Sequence, residues 1–440
     1  MSKSFYPEWT RWLLMINSYY SCTLGCKVNS YETAATCAQF SSLGAVSTSD
    51  ATKADLIIVN TCSVTSKAGQ KSRQHISSLR KKNPDAVLLV MGCYSQTHGE
   101  EVSGLGADIV LGASSRSKAV EYVTSFLQDH KPIIDVKPSL RKEGYEELGE
   151  TAYCETCRAY LKVQDGCDAF CSYCYIPILR GNSRSRDPRS VVEEAMRLVE
   201  KGYKEIVITG IHTGMYGKDL PGDYRLSNLL ESILMKCPGL LRLRISSLEE
   251  NEIDEAFLTL LKREKRLVSH LHIPLQSGSA AVLRDMGRHY DTDAFLEKLR
   301  LIREVRPDIA ITTDVIVGYP TETEEHFKET LAFCEAAGFA EIHVFPFSSR
   351  PHTLAATLKD LSPEIKKDRV HRLLALSKKL RSIYEARFYG EQVEVLVEEE
   401  VGEGYVCGHT PNYLLVRFKG DASMRNTLQF VTYDSSVASD

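Results

Sequence analysis

The chain has 440 residues, more than one hydrophobic core accommodates, and this length predicts two or three domains. Hydrophobic residues make up 43% and charged residues 25%, the balance of an ordinary soluble globular protein, and no apolar run approaches the roughly 18 residues of a membrane span. A net charge of -4 offers no global attraction to a polyanion, so any nucleic-acid binding has to come from local basic patches.

Residues 1–17 carry no motif. Their one apolar stretch, 13–16, is shorter than the apolar region of a signal peptide, which predicts a cytoplasmic protein whose thiols stay reduced and open to metal. Strand and helix patterns then alternate. Apolar runs at 55–60 and 86–91, separated by a helical stretch at 65–82, predict a doubly wound α/β domain over 18–130. Its first strands stop at cysteines, in Leu24-Gly25-Cys26, Asn60-Thr61-Cys62 and Met91-Gly92-Cys93. Carboxyl ends of parallel strands line one edge of a sheet, so Cys26, Cys62 and Cys93 can converge on a three-thiolate site. The alternative is three separate buried cysteines acting as small hydrophobes. Cys22, Cys37, Cys237, Cys334 and Cys407 lack such a setting and read as structural.

Residues 131–158, with Pro132, Pro138 and an acidic run at 143–150, read as a linker. Strands are predicted next at 159–165, 205–209, 240–246, 268–273, 309–317 and 341–345, six βα units that imply a partial (β/α)6 barrel over 159–360, open at one side. Directly after the first strand comes Cys167-Asp-Ala-Phe-Cys171-Ser-Tyr-Cys174. Three thiolates fill three corners of a [4Fe-4S] cube and leave one iron open, whereas structural zinc wants four ligands. A zinc ribbon pairing Cys154 and Cys157 with Cys171 and Cys174 is the competing reading, and it leaves Cys167 unexplained. Polar and glycine-rich motifs follow the later strands: Thr209-Gly210-Ile211-His212-Thr213-Gly214, Ser246-Ser247-Leu248-Glu249, His272-Ile273-Pro274-Leu275-Gln276-Ser277-Gly278 and Val317-Gly318-Tyr319-Pro320. That rim is where a barrel enzyme keeps its active site. Arg180, Arg184 and Arg186 make the loop after the thiols basic, either as a solvated face or as contacts for a phosphate or carboxylate.

Ser362 and Pro363 open a long connecting helix, 361–389, that carries Lys366, Lys367, Arg369, Arg372, Lys378, Lys379 and Arg381. Residues 390–440 show short β-rich runs and read as a small β-barrel, whose acidic stretch at 398–403 argues against RNA binding by charge in that module.

With Tyr173 before its third cysteine, the triplet resembles the C-x3-C-x-aromatic-C motif of the radical S-adenosylmethionine (SAM) superfamily. Nearly the whole chain resembles the radical SAM methylthiotransferases, and Thr23-Leu-Gly-Cys-Lys-Val-Asn-Ser-Tyr-Glu-Thr33 with Thr209-Gly-Ile-His-Thr-Gly214 looks like the subfamily acting on threonylcarbamoyladenosine in tRNA. The resemblance implies an auxiliary [4Fe-4S] cluster on Cys26, Cys62 and Cys93, a SAM-binding cluster on Cys167, Cys171 and Cys174, and a C-terminal TRAM-type barrel. SAM contacts are expected at Tyr173, Gly210, Glu249 and Gln276. Candidate tRNA contacts are Arg184 and Arg186, with Lys366, Lys367, Arg372 and Lys379 on the connecting helix. Met215 and Thr321 depart from the family pattern, which often has glycine at both places.

On the family mechanism the reduced cluster cleaves SAM to a 5′-deoxyadenosyl radical, the auxiliary cluster supplies a methylated sulfur, and an electron donor is required. An aromatic C2–H is neither acidic nor electrophilic enough for ordinary acid-base substitution, which is why a radical is needed. The alternatives are a methylthiotransferase acting on another tRNA adenosine or on a ribosomal protein, and, in another class, a non-catalytic iron-sulfur electron carrier.

Overall fold

The computed structural model describes residues 15–138, 144–151, 157–288 and 290–438. Cys154 and Glu143, named above, lie outside the described residues. The chain divides into two compact units. The first takes residues 1–154 with 165–168 and 175–184, and the second takes 155–164, 169–174 and 185–440.

In the first unit six strands, β1 (Ser18–Thr23), β2 (Val46–Ser47), β3 (Leu56–Thr61), β4 (Val87–Gly92), β5 (Ile109–Leu111) and β6 (Ile133–Asp135), form a parallel sheet in the order β2-β1-β3-β4-β5-β6. Every residue of β3 and β4 is buried, as central strands covered on both faces must be. Side-chain alternation sorts them. Leu56, Ile58, Leu89 and Met91 pack with Phe40 of helix Lys27–Ser41 and Val123 of helix Ala119–Asp129, while Ile57, Val59, Leu88 and Val90 pack with Ile76 and Leu79 of helix Ser66–Lys82. Helices on both faces make this the doubly wound arrangement expected from the sequence.

The second unit contains two parallel three-stranded sheets. β7 (Arg158–Lys162), β8 (Glu205–Thr209) and β9 (Arg242–Ile245) run in the order β9-β8-β7, and β10 (His270–His272), β11 (Ala310–Val317) and β12 (Glu341–Pro346) in the order β10-β11-β12. A parallel bridge between Leu243 and Leu267 joins them into six strands in chain order, with β7 and β12 at the edges. This is the partial barrel. The connecting helix, Pro363–Ala386, starts where the Ser362 hydroxyl accepts the Ile365 N–H and Pro363 takes the first turn.

Four strands close the chain: β13 (Gln392–Glu400), β14 (Tyr405–His409), β15 (Leu415–Lys419) and β16 (Leu428–Thr432), antiparallel in the order β15-β14-β13-β16. They form a half-barrel that covers the amino ends of the barrel strands. Arg242, the first residue of β9, donates to His409 O at 2.7 Å and to Glu394 Oε1 at 2.9 Å. Arg158, the first of β7, pairs with Glu205 and Glu398, each at 2.7 Å. Burial alone would raise the Glu205 carboxyl, but Arg244, Arg158 and Arg242 hold it well below the usual carboxylate range. Tyr413, at φ 66°, stacks its ring 4.7 Å from that of His270, the first residue of β10. With that end sealed, the carboxyl ends remain for a site. Among the described residues no helix is long and apolar enough to cross a membrane.

Candidate active site

In the first unit three cysteines follow three strand ends. Cys26 lies just past β1 at the N-cap of helix Lys27–Ser41, Cys62 directly follows β3, and Cys93 directly follows β4. Two glycines make the approach possible. Gly25 has φ 116°, and a Cβ there would lie 3.3 Å from Cys62 Sγ and 2.9 Å from Asn29 Nδ2. Gly92 has φ 106°, and a Cβ there would lie 2.3 Å from Asn60 Oδ1. Hydrogen bonds tie the strand ends together. Asn29 Nδ2 donates to Leu24 O at 2.8 Å and to Thr61 O at 3.0 Å, and Ser63 Oγ donates to Cys93 O at 3.1 Å. Burial pushes the Cys93 thiol up to about 11; Arg180 opposes this, and the nearby Cys26 and Cys62 add to it.

Arg180 is the centre of a buried charge network. Its Nη2 lies 3.6 Å from Cys93 Sγ and donates to Asn29 Oδ1 at 3.1 Å, while its Nη1 pairs with Glu32 Oε1 at 2.6 Å and Asp165 Oδ1 at 3.2 Å. Arg116 is paired with Glu32 too, and with Glu146 at 3.0 Å. Arg184 Nη2 reaches Asp165 Oδ2 at 3.7 Å. Three guanidinium groups therefore balance three carboxylates, which is what buried charges require. Sequence alone places Arg180 only in a basic loop.

Cys167 belongs to this unit, its N–H donating to Gly181 O at 3.0 Å, whereas Cys171 and Cys174 belong to the second. There the Cys174 N–H donates to Cys171 O at 2.9 Å, and the loop is pinned by Ser172, whose N–H donates to Met286 O at 2.9 Å and whose hydroxyl donates to Asp285 O at 2.9 Å. Arg288 Nη1 lies 3.8 Å from Cys171 Sγ, and the same guanidinium is ion-paired with Glu249. Tyr173 packs against Val282, Met286, Tyr319 and Phe347. Burial drives its phenol well above the ordinary value, with Cys171 adding and Arg288 opposing.

The remaining rim residues are held by backbone and side-chain contacts. A Cβ at Gly210 would be 3.0 Å from Gln164 Oε1, which accepts the His212 N–H at 2.8 Å. His212 Nε2 lies 2.7 Å from Glu252, and Glu252 also accepts the Glu249 N–H at 2.9 Å, so Glu252 joins two rim loops and was missed for lack of any motif. Gln276, at φ 66°, extends the β11 ladder, its N–H donating to Asp314 O at 2.8 Å and its O accepting from Ile316 at 2.9 Å. Thr321 uses its hydroxyl to donate to Asp285 at 2.5 Å, an interaction that glycine lacks. Met215 sits in the short turn Thr213–Met215, where Lys218 Nζ approaches its sulfur at 3.1 Å. Cys157 lies before the amino end of β7, with burial raising its thiol to about 11, while Cys171 and Cys174 belong to the carboxyl rim. Five strand residues separate Cys157 from that rim by roughly 16 Å, too far for a shared zinc ion.

The candidate RNA cations are mostly paired. Arg186 is buried against Glu194, and Arg184 donates to Arg180 O at 2.8 Å. On the connecting helix Lys366 pairs with Asp360 at 2.6 Å, Arg372 with Glu324 at 2.8 Å and Lys379 with Glu335 at 2.7 Å. Lys367 is exposed and has no ion-pair partner among the described residues.

Residues 161–334 match the Radical SAM superfamily and residues 18–112 match the uncharacterized protein family UPF0004. The threonylcarbamoyladenosine tRNA methylthiotransferase of Bacillus subtilis (strain 168) is 43% identical over 91% of this chain and 90% of its own. The chain belongs to the radical SAM tRNA methylthiotransferases. The threonylcarbamoyladenosine tRNA methylthiotransferase of Thermotoga maritima is 37% identical over 91% of each chain, and the tRNA-2-methylthio-N(6)-dimethylallyladenosine synthase of Clostridium perfringens (strain SM101 / Type A) is 34% identical over 91% of this chain and 92% of its own. Among solved structures, the radical SAM methyltransferase TsrM from Kitasatospora setae has a TM-score of 0.57 at 15% identity, covering 78% of this chain and 77% of that one, a likeness of fold. Radical SAM methylthiotransferases are transferases that use SAM and a [4Fe-4S] cluster. The donor set fits: three thiols on one short loop suit three irons and leave the fourth open.

Proposed function

We propose that this methylthiotransferase converts N6-threonylcarbamoyladenosine at position 37 of tRNA to its 2-methylthio form. Cys167, Cys171 and Cys174 would hold the cluster that binds SAM, Cys26, Cys62 and Cys93 a second [4Fe-4S] cluster, and Tyr173, Gly210, Glu249 and Gln276 would line the SAM site. When bound, these groups supply the radical and the sulfur that an unactivated aromatic C2–H demands. The protein's own residues position and shield. Arg180 and Arg288 each set a positive charge beside a ligand thiolate, and Tyr173 packs its half-buried ring on Val282, Met286, Tyr319 and Phe347 within the Cys171 loop.

The observation that carries the substrate reading is the 43% identity to a threonylcarbamoyladenosine enzyme over nine tenths of both chains, against 34% to a dimethylallyladenosine enzyme. In this reading 18–130 carries the second cluster, 131–158 is a linker, 159–360 the catalytic barrel, 361–389 a connecting helix and 390–440 the TRAM-type module. The enzyme works in the cytoplasm with an external electron donor. Mass spectrometry of tRNA nucleosides from a deletion strain tests this: the 2-methylthio derivative of threonylcarbamoyladenosine should disappear and return with the gene. Disappearance of the dimethylallyl derivative instead, or an unchanged tRNA profile with a changed ribosomal protein, overturns the substrate.

A further inference from the structure

Three neighbouring strands of the barrel carry metal-type donors on one face, and one donor from each comes together. His272 ends β10, Asp314 lies within β11 and His343 within β12. Parallel register sets His272 beside Thr312 and Asp314 beside His343, so the alternation of a strand puts all three on one side. Leu271, Ile311 and Ile342, of opposite facing, are buried. One ligand atom from each of His272, Asp314 and His343 lies within 4.8 Å of the other two. His272 Nε2 is 3.3 Å from Asp314 Oδ2, its Nδ1 is 2.9 Å from Thr312 Oγ1, and its ring centroid is 5.6 Å from that of His343.

We propose that His272, Asp314 and His343 form a binding site for one first-row divalent cation. A hydrogen-bonded His–Asp pair uses one imidazole, and here a second imidazole, whose Nδ1 also faces Glu341 Oε1 at 3.7 Å, lies within 4.8 Å of that pair. Two imidazoles and one carboxylate approaching from a single sheet face make a facial set, which leaves the opposite coordination positions open to water or to a ligand oxygen. Thr312 Oγ1 fixes the far nitrogen of His272, as the outer partners of metal-bound histidines do. Metal–ligand bonds of about 2.0–2.2 Å bring atoms sharing an ion within roughly 4 Å of each other. His343, whose side chain is 44% exposed, has room to close that difference. Sulfur ligands play no part, so the site is chemically separate from the thiol trios and independent of the substrate proposed above.

The test uses the full-length, cluster-reconstituted enzyme with Mn2+ as the probe, since manganese favours nitrogen and oxygen over thiolate ligands. Free Mn2+ followed by electron paramagnetic resonance should show one equivalent bound, and electron spin echo modulation of the bound ion should carry the 14N signature of imidazole. His343→Ala and Asp314→Asn should each weaken binding at least tenfold, with iron content and far-UV dichroism unchanged, and His343→Asp should restore most of it. Wild-type enzyme that binds no Mn2+, bound Mn2+ without nitrogen modulation, or wild-type affinity in His343→Ala overturns the site. Should Asp314→Asn not fold, the half-exposed His343 variants decide alone.

Discussion

Two guanidinium–sulfur contacts invite comparison. In the first unit Arg180 sits 3.6 Å from Cys93 Sγ, and in the second Arg288 sits 3.8 Å from Cys171 Sγ. Each arginine is held by a glutamate, Glu32 or Glu249, and each places positive charge beside a proposed cluster thiolate. Their surroundings differ. Arg180 is locked by Glu32, Asp165 and Asn29, and Glu32 is shared with the fully buried Arg116, so the contact is part of the framework of its unit. Arg288 has one carboxylate and an aromatic neighbour, Tyr290, 5.0 Å from its centre. The same local device is therefore structural in one place and adjustable in the other.

The largest effect should come from removing the thiols themselves. Replacing Cys26, Cys62 and Cys93 together by alanine should halve the iron and labile sulfide of reconstituted protein, abolish methylthiolated product and leave SAM cleavage to 5′-deoxyadenosine intact. Replacing Cys167, Cys171 and Cys174 should also halve the iron but abolish cleavage as well. Equal loss of cleavage in both folded variants would contradict the division of roles, and stoichiometric zinc in the wild type would contradict the cluster assignment.

Next in size is the framework itself. Glu32→Ala leaves Arg116 and Arg180 sharing Glu146 and Asp165 while both stay buried, and breaking a buried pair by removing one partner costs about 3–5 kcal/mol. Urea unfolding of the first unit should register that loss. A change under about 1 kcal/mol would show that the network does not hold the unit together. Glu249→Gln should cost less, about 1–3 kcal/mol, because one hydrogen-bonded charge loses a single partner at a side chain already 18% exposed. Its clearer sign is electrochemical. Removing a negative charge beside Arg288 should raise the reduction potential of the cluster proposed on Cys171, since net charge and hydrogen bonds to sulfur set that potential. An unchanged potential, read by potentiometric titration, would place Glu249 outside the cluster's electrostatic reach.

The contrast also shows what a sequence discloses. The strand ends at Cys62 and Cys93 were legible because an apolar run that stops at a turn is a local pattern. So were the six barrel strands, with β8 at Glu205–Thr209 and β12 at Glu341–Pro346 close to the bounds read from apolar periodicity. Arg180 was visible only as part of a basic loop, because its partner Glu32 is 148 residues away and nothing local marks the pair. Glu252 and Arg288 carry no motif and act through contacts made by the fold. The barrel's amino-end seal, where Glu205 meets Arg244 and Arg158, depends on strands brought side by side and was equally unreadable.

The smallest predicted effects lie on the connecting helix, where the same lesson about paired charge applies. Sequence alone offered Lys366, Lys367, Arg372 and Lys379 as equivalent phosphate ligands, yet three of them already face carboxylates: Asp360, Glu324 and Glu335. A paired cation at the surface still draws counterions weakly, but binding phosphate requires it to leave its acid, whereas exposed Lys367 has no such competitor among the described residues. Removing one cation that neutralises a phosphate should reduce the magnitude of the log K against log salt slope by about 0.7–0.9. If the helix touches tRNA, Lys367→Glu should flatten the slope by about that amount, Lys379→Glu should do so by less, and SAM cleavage without tRNA should be unchanged in both. Equal flattening by the two variants would mean that tRNA breaks the Lys379–Glu335 pair on binding. An unchanged slope in both would remove the helix from the RNA path and leave Arg184 at the rim as the cation to test.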